Sequence, residues 1–112
     1  MKNTGQQKEV IDMIYEIVKM IPYGQVSTYG AIANAIGLKS GARYVGYLMK
    51  LSDIIPGIPA HRVVNSTGLL SGKHHFGTGN EMQQLLEREG VIVKNDKVQQ
   101  FKRIFWDPME SL

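Results

Sequence analysis

Prolines and glycines cut this chain into pieces, and the spacing of the cuts limits what it can fold into. Pro22 closes the first long uninterrupted stretch, and Gly37 ends the helical pattern that follows it. Pro56-Gly57 and Pro59 break the middle, Gly68, Gly72, Gly77 and Gly79 punctuate a loop from Asn65 to Asn80, and Gly90 ends the next helical pattern. Proline fixes φ and removes a donor, while glycine opens the left-handed region, so both end regular structure. From Lys8 to Ile21, Val10, Ile11, Ile14, Ile17, Val18 and Ile21 recur three or four residues apart. Glu9, Asp12, Glu16 and Lys19 take the other side, which predicts an amphipathic helix used as core scaffold.

From Val26 to Gly37 the sequence predicts a short helix, capped by Ser27 or Thr28, with Ile32, Ala33 and Ile36 inward and Gly37 at the C′ position. Leu38-Lys39 makes a turn. Ser40 then caps a second helix that runs to about Leu51. On it Ala42, Val45 and Met49 share one face, and Arg43, Tyr47 and Lys50 share another. Two short helices around a glycine turn, the second presenting Arg, Tyr and Lys, fit a helix-turn-helix. Many helix pairs share this pattern and bind nothing. Gly46 in mid-helix costs about 1 kcal/mol relative to alanine, which close backbone packing can offset.

Asn80 to Glu89 predicts a further helix, with Asn80 as cap, Gln83 as its capping-box partner and Gly90 as stop. Met82, Leu85, Leu86 and Glu89 lie inward or nearly so. Val91 to Val93 and Val98 to Phe101 predict two strands joined around Lys94-Asn95-Asp96-Lys97. Ile104 to Pro108, with Phe105 and Trp106, is expected to fold back onto the domain. The expected architecture over residues 1–112 is therefore one domain, mainly α with a small β-hairpin, of the winged helix-turn-helix type.

Charge becomes informative once these elements are placed. The formal net charge is only +3. Between Ile17 and Asn80, however, Asp53 is the only acid, against Lys19, Lys39, Arg43, Lys50, Arg62 and Lys73. A basic middle suits phosphates, although a solvated basic face reads the same way. With no cysteine in the chain, disulfides, thiolate metal sites and thiol catalysis are excluded. The N-terminus lacks an apolar signal core, and no apolar run approaches membrane-spanning length. The expected location is cytoplasmic and nucleoid-associated, with no membrane partner.

Other chemistries find little support. His61, His74 and His75 are the only histidines, and no metal-ligand spacing links them, so no metal and no cofactor are expected. Ser66 or Ser71 with His61 and Glu89 would make a hydrolytic triad, but no nucleophile elbow accompanies them. Gly77-Thr78-Gly79 lacks the strand and the lysine–threonine pair of a phosphate loop.

The centre of the chain is Pro59-Ala-His-Arg-Val-Val-Asn65. It stands among Ile21-Pro-Tyr-Gly-Gln-Val-Ser-Thr-Tyr-Gly30, Ala42-Arg-Tyr-Val-Gly46 with Met49, Gly68-Leu-Leu-Ser-Gly72 and Leu85-Leu-Glu-Arg-Glu-Gly90. In this order and spacing the motifs resemble the O6-alkylguanine-DNA alkyltransferases, whose active site reads Pro-Cys-His-Arg-Val. With Ala60 at the cysteine position, the chain looks like the alkyltransferase-like proteins, which keep the DNA-binding scaffold without the acceptor thiol. Ser52 stands where the family has an asparagine, and the loop from Lys73 to Thr78 matches transferases poorly.

The resemblance implies a non-enzymatic monomer that binds double-stranded DNA containing alkylated guanine through the minor groove. It would flip the lesion into a pocket without alkyl transfer, block alkyltransferases and signal to nucleotide excision repair proteins. Tyr29 would press on the backbone beside the flipped nucleotide, and Arg43 would fill the vacated stack. Further DNA contacts would come from Thr28, Ser40, Tyr47 and Lys50. Pro59, Ala60, Val63, Ser71 and Lys73 would line the pocket with Tyr29, Lys73 as a cation beside the base. No residue would be catalytic. His61 and Glu89, the family's proton relay, would remain as a buried hydrogen-bonded strut. Two other readings stay open: an active alkyltransferase with an unusual acceptor, and a helix-turn-helix transcription regulator.

Overall fold

A computed structural model describes residues 4–52, 55–76 and 79–111. Helix α1 spans Thr4–Met20. Its apolar stripe, Ile14, Ile17 and Val18, is buried together with Ile21 just beyond it, as the three-and-four spacing predicts.

After Pro22 the chain departs from expectation. Ser27–Thr28 forms a strand, β1, and only then does α2 begin, at Tyr29–Ala35. Strand β1 pairs in parallel with β2, Val63–Val64, in the register Ser27 to Val63 and Thr28 to Val64. A parallel ladder between residues so far apart in sequence has no local signature. Thr28 is the N-cap of α2, its hydroxyl accepting from the Ala31 N–H at 3.0 Å. Ser27 is fully buried in the strand, and among the described residues its hydroxyl is the buried side-chain polar atom that lacks a partner.

Helix α3 covers Ala42–Leu51 and packs on α2 as the second member of the helix-turn-helix. Gly37, with φ +76°, closes α2 as predicted. The cap of α3 is Gly41, not Ser40. Ser40 adopts φ +61°, and a Cβ at Gly41 would lie 2.8 Å from Leu38 Cβ. The turn is thus too tight for any other residue at position 41, and it carries Ser40 past the capping position.

Helix α4 is Glu81–Arg88. Asn80 occupies its N-cap position with a backbone that is already helical, so its side chain makes no cap bond; side-chain capping needs an extended backbone there. Gln83 bonds to Glu87 instead of forming a capping box. Met82 and Leu86 are fully buried, and Gly90 ends the helix at φ +87°.

The hairpin is shorter than expected. Strands β3, Val93–Lys94, and β4, Lys97–Val98, pair antiparallel. Asn95 and Asp96 make the turn with φ +53° and +61°, the signs a two-residue type I′ turn needs. Gln100, at φ +57°, stops the second strand, and Phe101 starts a short helix, α5, Phe101–Ile104. The hairpin is not a free wing. Leu70 N–H donates to the Asp96 carbonyl at 2.8 Å, and Val98 N–H to the Gly68 carbonyl at 2.9 Å, so one edge is stitched to the loop after β2. The tail does fold back: Val26 N–H donates to Ile104 O, and Trp106 N–H to Val26 O. Helix α6, Pro108–Ser111, then lies against α2.

Two apolar clusters result. One joins α1, α2 and α3 to Ala60 and Val63, the other joins α4 and the hairpin to Val26 and Val64, and Phe76 packs on both. Neighbouring strand residues thus face opposite clusters, Val63 the first and Val64 the second. None of the described helices is long and apolar enough to cross a membrane.

Candidate nucleic-acid interface

Pro59 leads into a 3-10 turn, Ala60–Arg62, which hands the chain to β2. The turn is held by one carboxylate. Glu89, just past the last residue of α4, accepts from Arg62 Nε at 3.0 and 3.1 Å and from Arg62 Nη2 at 2.8 Å. It also accepts from the Gly24 N–H at 2.8 Å and lies 2.7 Å from His61 Nε2. Arg62 Nη1 donates to the Ile21 carbonyl at 2.9 Å, and its guanidinium lies over the Tyr23 ring. One acid therefore ties the turn after α1, the central motif and the end of α4 together. Burial pushes the Glu89 carboxyl upward, but the bonds from Arg62, His61 and Gly24 outweigh it and pull the group down to about 2. Arg62 is thus an interior structural residue, and His61 with Glu89 is the expected strut.

The strut sets Ala60 at a cavity of about 350 Å³, within the roughly 300–1,000 Å³ of small-molecule pockets. Ala42, Arg43, Gly46 and Met49 line it from α3, Tyr29 from α2, and Met82 from α4. Ser71, Gly72 and Phe76 complete it from the loop. Tyr29 organises the opening. Its ring carbons lie 3.8 Å from the position of a Cβ at Gly46, and its hydroxyl would be 2.9 Å from a Cβ at Gly72. Gly72 is the site that makes room for the hydroxyl end of that ring; at Gly46 an added Cβ would make ordinary van der Waals contact with it, so the close backbone packing expected of Gly46 is not found there. Burial raises the Tyr29 phenol above its ordinary value and a hydrogen bond with the Ser71 side chain opposes the rise, so the group is neutral at physiological pH.

The structure brings Tyr29, Arg43, Ala60 and Ser71 together at this cavity. Arg43, Tyr47 and Lys50 are exposed on α3, and Ser40 stands exposed on the turn before it. Thr28 is not available to DNA through its side chain: it is 7% exposed and its hydroxyl caps α2.

Three expected pocket residues do not line the cavity. Val63 is fully buried, because its place in the parallel ladder turns it into the core. Pro59 shapes the turn from outside. Lys73 donates to Asp96 at 2.7 Å, since the stitching of the hairpin to Leu70 brings that acid to the loop. Ala42, Met49 and Met82 had only an inward-face signal in the sequence; which inner positions border a cavity depends on packing. Among the described residues no cluster of His, Asp and Glu is arranged to hold a metal ion.

Residues 9–91 match the family described as the 6-O-methylguanine DNA methyltransferase DNA binding domain. The chain belongs to this family. It is 39% identical over 105 residues to alkyltransferase-like protein 1 of Schizosaccharomyces pombe, a match covering 89% of this chain and 96% of that one. The methylated-DNA–protein-cysteine methyltransferase of Candida glabrata is 41% identical over 97 residues, which is 87% of this chain but 44% of that protein. The chain thus spans less than half of this longer family member. Its fold overlays that of S. pombe Atl1 in complex with damaged DNA containing O6-carboxymethylguanine, with a TM-score of 0.79 and 35% identity over 95% of this chain and 98% of that one. As in this family, the domain is mainly helical and built on a helix-turn-helix.

Proposed function

We propose that this protein recognises O6-alkylguanine in duplex DNA and holds it without removing the alkyl group. The observation that carries the reading is the cavity between α3 and the central turn, bordered by Ala60 in a chain that has no cysteine. By the motif match, Ala60 stands where the methyltransferases carry their acceptor. A methyl group there forms no bond to an alkyl carbon and leaves the volume of the sulfur free. Met49, Phe76 and Met82 supply apolar walls for the alkyl chain, while the Tyr29 hydroxyl and Ser71 supply polar groups at the loop side.

Helix α3 lies against the minor groove with Tyr47 and Lys50 toward the backbone. Extruding a nucleotide costs a few kcal/mol, less where alkylation has already weakened the pair. Arg43, exposed at the rim, stacks into the gap and hydrogen-bonds the orphaned base. Tyr29 disfavours the stacked state of the flanking backbone. The glutamate–histidine pair has no thiol to activate and keeps the turn in place. A persistent complex shields the lesion from alkyltransferases and marks it for nucleotide excision repair. That last step rests on the resemblance to alkyltransferase-like proteins.

The test is a competition titration at fixed salt, because salt alone moves protein–DNA affinity by orders of magnitude. Two duplexes are compared that differ only in guanine against O6-methylguanine, with the intact protein mass read at saturation. Preference for the lesion with unchanged mass is expected. A gain of one alkyl mass would make the protein a transferase with another acceptor. Equal affinities would leave a helix-turn-helix protein that does not read damage.

A further inference from the structure

The β3–β4 hairpin and α5 carry a charge pattern that the lesion cavity does not use. Lys94 and Lys97 are directly opposite each other in the two-residue ladder. Like charges directly opposite on a strand pair are destabilising. The acid between them gives no relief, because Asp96 is bound to Lys73. Lys102 and Arg103 follow on α5, exposed like the two strand lysines. Among the described residues, none of these four cations has an acidic partner. Arg103 is held instead by the Gln100 side chain at 2.6 Å. Lys97, Lys102 and Arg103 line an open groove together with Thr67, Val98, Gln99, Gln100 and Phe101. The Thr67 hydroxyl is spent on Asn65, while Gln100, whose side-chain oxygen accepts from Arg103, keeps its amide N–H groups as neutral donors beside the charges. None of these residues borders the lesion cavity.

We propose that this groove is a second phosphate-binding surface that takes the sugar–phosphate backbone of nucleic acid. Several cations in series beside a neutral amide donor, with no acidic partner among the described residues, suit the repeating monoanion of a phosphate backbone. An anion laid along the ladder relieves the Lys94–Lys97 repulsion. The stitching of the hairpin to Gly68 and Leu70 makes the groove rigid with the loop that carries Ser71 and Gly72. A backbone held here is therefore fixed relative to the cavity. The backbone can belong to the flank of the duplex engaged by α3 or to a second duplex.

The experiment uses the full chain with Lys94→Gln, Lys97→Gln and Lys102→Gln combined, and Lys8→Gln on α1 as control. Circular dichroism and a thermal melt confirm the fold. Duplex affinity is measured against salt with undamaged DNA of about one and about three helical turns, ~10 base pairs each. The triple variant is expected to show a weaker salt dependence, its slope falling by up to about 0.9 for each charge removed, while its preference for a lesion, where present, stays as in the parent. Loss confined to the three-turn duplex assigns the groove to the flank. A parent that binds two one-turn duplexes, and a variant that binds one, assigns it to a second duplex. A folded triple variant with the parent's slope and stoichiometry on both duplexes overturns the proposal. So does a groove that binds polyglutamate more tightly than DNA, which would make it a surface for an acidic protein. The undamaged duplex keeps this result separate from the lesion reading.

Discussion

Replacing Glu89 with glutamine tests the carboxylate that ties the central turn in place. The group sits at about 2 against an ordinary 4.5, and its side chain is only 6% exposed, so solvent screens it little. A carboxylate held that far below its unfolded value stabilises the fold by about 3 kcal/mol at neutral pH. Because the folded value is the lower one, that stability is complete above the unfolded value and is lost as pH falls toward the folded value. Near pH 3 about 2 kcal/mol of it is gone. Glutamine mimics the protonated acid, so Glu89→Gln should lower unfolding free energy by about 3 kcal/mol at pH 7 and by only about 1 kcal/mol at pH 3. For a domain whose whole stability is about 5–15 kcal/mol, the first loss is large. Urea denaturation of parent and variant at both pH values measures it, and the other carboxylates cancel in the difference. A gap that is the same at both pH values, or absent at pH 7, would refute the claim that ionised Glu89 holds the turn.

Arg43→Ala should weaken binding of lesion DNA by about tenfold or more, ~1.4 kcal/mol, while changing stability by no more than about 0.5 kcal/mol, as expected of an exposed side chain; parallel titration and thermal melts separate the two. Gly72→Ala places a Cβ 2.9 Å from the Tyr29 hydroxyl. Its backbone is unstrained at φ −94°, so the expected result is weaker lesion binding with a nearly unchanged melt, and undiminished lesion affinity would show that the position of Tyr29 does not matter. Thr28→Ala removes the cap of α2 and should cost about 1 kcal/mol of stability. The salt slope of DNA binding should stay constant, since the hydroxyl faces Ala31; a reduced slope would restore Thr28 to the interface.

Much of this protein is written locally. The stripe of α1, the glycine stops at Gly37 and Gly90, and the opposed faces of α3 follow from periodicity and from φ preferences, which depend only on near neighbours. The motif order from Ile21 to Gly90 located the family, and Tyr29, Arg43 and Ala60 do meet at one cavity. Tertiary structure decided what distance along the chain conceals. Ser27 joins a strand because Val63, far away in sequence, offers it a ladder. Val63 consequently faces the core, although Ala60, three residues earlier in the preceding turn, reaches the cavity. Lys73 meets Asp96 because a hairpin turn is stitched to Leu70, and this pairing holds its charge away from the pocket. Ser40 loses its capping role to a turn so tight that only glycine fits at position 41. Local rules act through backbone sterics and repeat spacing, so the sequence alone determines the longer helices, their glycine stops and their faces. Ladders, ion pairs and cavity walls are contacts between segments distant in sequence, and those exist only once the whole chain has packed.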